Sequence, residues 1–386
     1  MTTDKTLSKT GTYLYEAALI LFLIQGVLRD TLLVSSSITN QYLLIIYFLY
    51  FLSIGLLTVK VLFFQDIFHS HIIHSAYFWI FSILLAVSTL ISRNPAIFSV
   101  WLFGIAYKDT DFDSSVRIAL VTEISIVFAV ALLSIAGILP SETYPPTVGH
   151  PFTRYSFGFL HPNSLGLYSF HIGCCFYYLR RKKSVIFPFL ILIGISIFNY
   201  FVTSSRTSVI CSILLMLCLL IFSFITKEKT INEKKKIQIF SLSLISFSAL
   251  AMIFSLLFSF FYDYSLVQKI DTLFSGRFFY ISTVLSSNQI SWLGKAPFSI
   301  GGPFDNSYMW ILLHYGILIY IFVSALYIHL LIRLHKRKQY LEVIFLFVYS
   351  CYAMMESEIF VANKCIFVLL FGLLFWKQRE QQNLQK

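Results

Sequence analysis

The feature that most limits what this chain can fold into is a recurrence of apolar stretches, each near the length of a membrane span, from Tyr13 to Trp376 with only short polar breaks. A helix needs about 20 apolar residues to cross the hydrocarbon core, and only helices or closed barrels cross it with their backbone polar groups satisfied. Hydropathy places about twelve helices, near 13–28, 42–59, 76–91, 95–107, 118–139, 165–179, 184–201, 209–225, 237–262, 307–332, 340–355 and 361–376. The fourth and the last are short, so the number falls to eleven if one of them is re-entrant or packs against other helices. With 58% hydrophobic and only 12% charged residues, no soluble domain has room, since such domains carry about 25% charge. The expected fold is all-α: a single polytopic membrane domain over 1–386, interrupted by an outer loop at 140–164 and a large outer loop at 263–306. Arg29-Asp30 and another span follow the first segment, with no small-residue cleavage site, so it reads as a retained helix. All six cysteines fall in apolar segments and read as small hydrophobes, not as a disulfide framework or metal site.

The net charge of +11 records orientation more readily than nucleic-acid binding. With the N-terminus placed in the cytoplasm, 21 of the 29 Lys and Arg residues fall on the cytoplasmic side. Only Arg29, Arg93, Arg154, Arg206, Lys269, Arg277, Lys295 and Lys364 fall outside. The positive-inside rule then expects both termini in the cytoplasm and 263–306 outside. Topology gives those eight outer bases no reason to exist, which makes them candidates for phosphate recognition, a task suited to the planar donor fork of Arg. No repeat of 20 to 50 residues and no inverted duplication is visible, which weakens a transporter reading.

Four outer stretches carry the candidate chemistry. The loop SETYPPTVGHPFTRYSFGFLHPNSLG cannot be helical throughout because of its prolines, and reads as a structured cap. Its HPN sequence either starts the sixth helix, with Asn163 or Ser164 capping it, or places Arg154, His161 and Asn163 on a rim facing a polar head group. The turn TSSRTS surrounds Arg206 with hydroxyls, Ser205 among them, as in an oxyanion or pyrophosphate clamp; a snorkelling Arg at a helix end is the plainer alternative. In the large loop, 266–273 and 278–285 have helical apolar spacing, broken near Gly276. Arg277 then begins the second short helix, where a cation fits best if a phosphate shares the spot. Gly294, Gly301, Gly302 and Pro303 lead to Asp305-Asn306, and Asp305 is either a helix cap or a general base. Tyr308 follows as an interfacial anchor, and His314 lies about two turns deeper as polar glue or a ligand contact. The spacing of His69, His71 and His74 is loosely metal-like but lacks companion ligands, so no metal or other cofactor is expected. Glu16 and Glu123 read as intramembrane acids near the cytoplasmic side.

HPNSLG at 161–166, TSSRTS at 203–208, SGRFFY at 275–280 and DNSYMWILLHYGI at 305–317 together resemble the O-antigen and capsular polysaccharide polymerases of the Wzy type, and more distantly the O-antigen ligases. The resemblance covers residues 118–333. It implies a metal-independent glycosyltransferase in the bacterial cytoplasmic membrane that joins undecaprenyl-diphosphate-linked oligosaccharide repeat units at the outer face. Membrane lipids, a flippase and a chain-length regulator would be its partners, and nucleic acid would not. On this resemblance Arg154, Arg206 and Arg277 correspond to the outer-loop arginines implicated in the family. Arg206, Arg277, Asp305 and His161 are then the expected catalytic residues, and Arg154, Asn163, Ser205, Asn306, Tyr308 and His314 the expected substrate contacts. Ligases carry a His before the Asn of their last large-loop motif, where this chain has Asp305, which favours polymerase. A ligase-like transferase, a lipid-linked oligosaccharide flippase and a membrane O-acyltransferase are the competing readings.

Overall fold

The computed structural model describes residues 2–35, 39–65, 75–147, 151–184, 186–227, 232–287, 289–296 and 304–376. These residues are almost wholly helical. The first half comprises α1 (Thr2–Arg29), α2 (Thr39–Val59, continued by a π-turn at Lys60–Phe64), α3 (Ala76–Ser92), α4 (Ala96–Ile105) and α5 (Phe112–Ile135). A small antiparallel ribbon, β1 (Thr143–Tyr144) with β2 (Arg154–Tyr155), folds the loop before α6 (Pro162–Arg180). There follow α7 (Ile186–Phe198, ending in a π-turn at Asn199–Thr203), α8 (Arg206–Lys227), α9 (Glu233–Phe260), α10 (Ser265–Asp271), α11 (Arg277–Ser287), α12 (Ser307–Lys336) and α13 (Tyr340–Tyr352). A 3-10 helix at Ile366–Phe371 runs into the single turn α14 (Gly372–Phe375).

Seven of these segments are long and apolar enough to cross a membrane: α1, α2, α5, α7, α8, α9 and α12. They carry Phe48, Phe51, Phe128, Phe224 and Phe247 exposed on their outer faces. A soluble protein does not tolerate such a belt, whereas lipid accepts it at no cost, so the chain is embedded in a membrane. Of the short helices, α4 and α13 need no lipid-facing surface because they form the interior, whereas α3 leaves Tyr77, Ile83 and Leu90 exposed. Every residue of α13 from Glu342 to Ser350 is buried, as are eight residues of the ten in α4. A helix apolar on all sides belongs inside a bundle. Phe345 of α13 stacks on Phe367 at 4.5 Å between ring centroids, and Phe81 of α3 meets Trp101 of α4 at 4.4 Å.

Two interior segments depart from the helices that hydropathy suggests. Residues 353–365 form successive turns, so the expected helix over 361–376 is replaced by turns and a 3-10 helix. Buried irregular backbone persists only where protein groups satisfy it. The Ser307 hydroxyl donates to the Glu356 carbonyl at 2.6 Å and accepts from the Ile359 amide at 3.0 Å, Asn306 Nδ2 donates to the Met354 carbonyl at 3.1 Å, and His171 Nε2 accepts from the Ile366 amide at 3.0 Å. The second departure is a break in α12 at Gly316, with φ 86° and ψ 174°. Residues 291–295 fill it: the Ile317 and Leu318 amides donate to the Ser291 and Trp292 carbonyls, and the Lys295 amide donates to the His314 carbonyl. Gly316 and Gly294 face each other so closely that a Cβ on Gly294 would lie 2.2 Å from the His314 carbonyl oxygen.

The charged side chains sort to two ends of the bundle. At one end, Lys60 Nζ donates to the Lys108 carbonyl, Arg181 pairs with Asp113, and Tyr178 donates to Glu342. Thr12 and Trp376 reach this same end, through Asp109 and Lys108. Arg29, Arg154, Arg206, Arg277 and Lys364 gather at the other. Glu123 belongs to neither: it lies midway along α5, not near an end, with Oε2 2.9 Å from His171 Nδ1 and both side chains wholly buried. His69, His71 and His74, and Gly301, Gly302 and Pro303, lie outside the described residues.

Candidate functional site

A chain of polar contacts crosses the second end of the bundle and joins loops far apart in sequence. It starts at Arg154 in β2, whose guanidinium lies over the Tyr144 ring of the paired strand. The π-turn at the end of α7 and the left-handed Ser204 (φ 47°) turn the Thr203 carbonyl towards Arg154, which donates to it from Nε at 3.2 Å. Arg154 Nη2 donates to Asn163 Oδ1 at 2.7 Å, which fixes the amide orientation and aims Asn163 Nδ2 at Glu356 Oε1, 3.1 Å away. Glu356 Oε1 also accepts from Arg277 Nη2 at 3.3 Å, and that nitrogen lies 3.6 Å from Asp305 Oδ2. Arg277 Nη1 is buried without a hydrogen-bond partner among the described residues.

Arg277 is positioned differently from what its place at a helix start implied. Asp271, at the end of α10, accepts the Phe278 and Phe279 amides at 3.0 Å each, so the first turn of α11 is already capped by a carboxylate. Gly276 (φ 77°) makes the reversal that brings Asp271 back onto that turn. The guanidinium instead extends to Glu356 and Asp305.

Electrostatics separates the two acids of the segment 353–365. Burial pushes Glu356 up to about 7; the Asp305 carboxylate adds to this, and Arg277 and Lys364 offset only part. Asp305 is raised as well, by burial, against the pull of Arg277 and Lys364. Glu358 goes the other way. Burial would raise it, but Arg29 and Lys364 outweigh that and hold it down at about 2. Arg29 Nη2 donates to Glu358 Oε2 at 2.6 Å, and Lys364 Nζ lies 3.7 Å from both Glu358 Oε2 and Asp30 Oδ2. Tyr168 donates to Asp30 at 2.9 Å and accepts from Asn363 at 3.2 Å, closing this second cluster.

Comparison with family models, with curated proteins and with solved structures finds no match for this chain. The site is therefore read from its own residues. Arg154, Asn163, Arg277 and Asp305 come together in one network. Arg206 stands beside it at the start of α8, donating to the Ser275 hydroxyl at 3.3 Å and close enough to Arg154 for the two cations to oppose each other. His161 caps α6, its Nδ1 accepting the Asn163 amide at 3.1 Å, so the cap of that helix is His161 and not Asn163 or Ser164. His314 packs on Trp310 just before the α12 break.

Three other residues hold the scaffold. Asn306, fully buried, caps α12 by accepting the Tyr308 and Met309 amides, a role the sequence offered to Asp305. Ser205 is packed against α6, where a Cβ on Gly166 would lie 2.6 Å from Ser205 Cβ, and its hydroxyl is bonded to Ser208. Tyr308 is buried and donates to the Ser350 carbonyl at 2.8 Å, so it is no interfacial anchor. The site also contains Glu356, Glu358, Asp271 and Asp30, which sorting of the basic residues alone does not reveal. The usable signal was the run MESEIFVANK, two acids and a Lys in one short connection between apolar segments of a chain with little charge.

Proposed function

We propose that this chain is a polysaccharide polymerase, a lipid-linked glycosyltransferase of the outer face of the bacterial cytoplasmic membrane, with about twelve membrane passages and both termini inside. It joins undecaprenyl-diphosphate-linked repeat units without metal or other cofactor. The growing chain leaves its lipid diphosphate and passes to a sugar hydroxyl of the next unit.

The observation that carries this reading is the network Arg154–Asn163–Glu356–Arg277–Asp305, in which guanidinium groups and carboxylates from four separate segments meet at one end of the bundle. Breaking the anomeric bond to a diphosphate concentrates negative charge on the departing oxygen, and preorganised guanidinium groups stabilise that charge. Arg154 and Arg206 oppose each other, and a diphosphate held between them relieves that repulsion.

The test is reconstitution of the purified protein in liposomes with lipid-linked repeat units. Polymer ladders that disappear in Arg277→Ala and weaken in Arg206→Ala are expected, with both variants folded. Vectorial movement of the lipid without polymer assigns a flippase instead, and full-length polymer from both variants removes the arginines from the mechanism.

A further inference from the structure

We propose that Glu356 is the catalytic base of this transfer and takes the acceptor hydroxyl proton on Oε2. The inference rests on the polymerase reading and adds the residue that performs proton transfer, for which the sequence suggested Asp305 or His161. A base must be held by its neighbours while keeping one lone pair open to the substrate. Glu356 meets both conditions. Its Oε1 accepts from Asn163 and from Arg277, and Asn163 is itself fixed by Arg154. Its Oε2 accepts no hydrogen bond among the described residues, and the side chain keeps 14% exposure.

The alternatives fail on geometry. His161 Nδ1 is engaged in capping α6. Among the described residues Asp305 accepts no hydrogen bond that would orient it and has only the 3.6 Å approach of Arg277. Asp305 is better placed as a positioning residue that competes with Glu356 for Arg277 and keeps Glu356 basic.

In the step, the acceptor oxygen bonds to the anomeric carbon of the donor while the bond from that carbon to the diphosphate breaks. The electron pair leaves with the diphosphate, against Arg277, and the hydroxyl proton passes to Glu356 Oε2, from which it returns to solvent. Arg277 thus touches both the base and the leaving group.

The charged and titratable groups facing Glu356 are Asp305 before α12, Arg277 of α11, Lys364 of its own segment, Tyr352 at the end of α13, Arg154 of β2 and Cys211 of α8. Because Glu356 acts as the carboxylate and is pushed up to about 7, the rate should fall as pH drops below that value. Asp305→Asn removes a neighbouring negative charge, lowers the proton affinity of Glu356 and should move this acid limb to lower pH.

The experiment follows initial rates of polymer formation against pH for wild type, Glu356→Gln, Glu356→Asp and Asp305→Asn in proteoliposomes charged with lipid-linked repeat units. Expected are a loss of kcat of at least about 100-fold in Glu356→Gln with little change in KM, partial activity in Glu356→Asp, and the shifted limb in Asp305→Asn. Glu356→Gln with activity within about threefold of wild type, or with the wild-type acid limb, overturns the assignment. Should Glu356→Gln not fold, an acid limb that stays fixed in Asp305→Asn overturns it just as well. Absence of polymer from wild type at every pH overturns the polymerase reading itself.

Discussion

Glu356 and Glu358 stand two residues apart on one turn-rich segment, with side chains 14% and 18% exposed, yet they are pushed in opposite directions. Equal burial cannot separate them. The difference lies in how their cations are shared. Glu358 has Arg29 at 2.6 Å and Lys364 at 3.7 Å, enough to hold it ionised despite its burial. Glu356 must share Arg277 with Asp305, so two carboxylates lean on one guanidinium. An acid with surplus cation is a structural tie, whereas an acid short of cation can accept a proton near neutral pH.

The largest difference should be in stability. Glu358→Gln leaves Arg29 without its main partner and Lys364 with Asp30 alone, and should lower unfolding free energy by about 1–3 kcal/mol, read as a fall in melting temperature in detergent. Its contribution has a defined window: a carboxyl held at about 2 in the fold stabilises fully above its ordinary value and loses that stabilisation only as pH falls towards 2. Glu356 has the opposite sign. Its raised value means that its ionisation costs stability, increasingly as pH rises towards about 7. Glu356→Gln should therefore melt no lower than wild type at mildly alkaline pH, and higher if nothing else changes. Equal destabilisation by the two substitutions would erase the distinction.

A smaller effect should come from Lys364, which serves both acids. Lys364→Met should weaken the hold on Glu358 and also raise Glu356, moving the acid limb of the rate to higher pH, opposite to Asp305→Asn. Smaller still, Asp271→Ala removes the cap of α11 and should cost about 1 kcal/mol, with KM raised because Arg277 is less firmly placed. An unchanged KM would mean that Arg277 is held by its acid partners alone.

Much of the fold was legible in the sequence because it follows from hydropathy, charge sorting and a few turn residues. The short helices either side of Gly276 are where periodicity put them, and Arg154, Asn163, Arg277 and Asp305 were recognised from their position in polar loops. What could not be read depends on contacts between distant segments. No local signal shows that Asp271 caps α11, that Ser307 and Asn306 hold 353–365 out of a helix, or that residues 291–295 enter the α12 break. Apolar content alone made 361–376 look helical, because hydropathy reports burial and says nothing about how the backbone is satisfied. Glu356 stands out less for a related reason: the sorting of basic residues singles out Arg154 and Arg277 but not the carboxylate that meets them from a distant segment.

The most direct measurement is the pH dependence of polymer formation from lipid-linked repeat units by wild type, Glu356→Gln and Glu358→Gln under one set of conditions. The account predicts a wild-type rate that falls below about pH 7, the same limb in Glu358→Gln, and a rate at least about 100-fold lower in folded Glu356→Gln. Comparable activity with the same acid limb in both variants would contradict it.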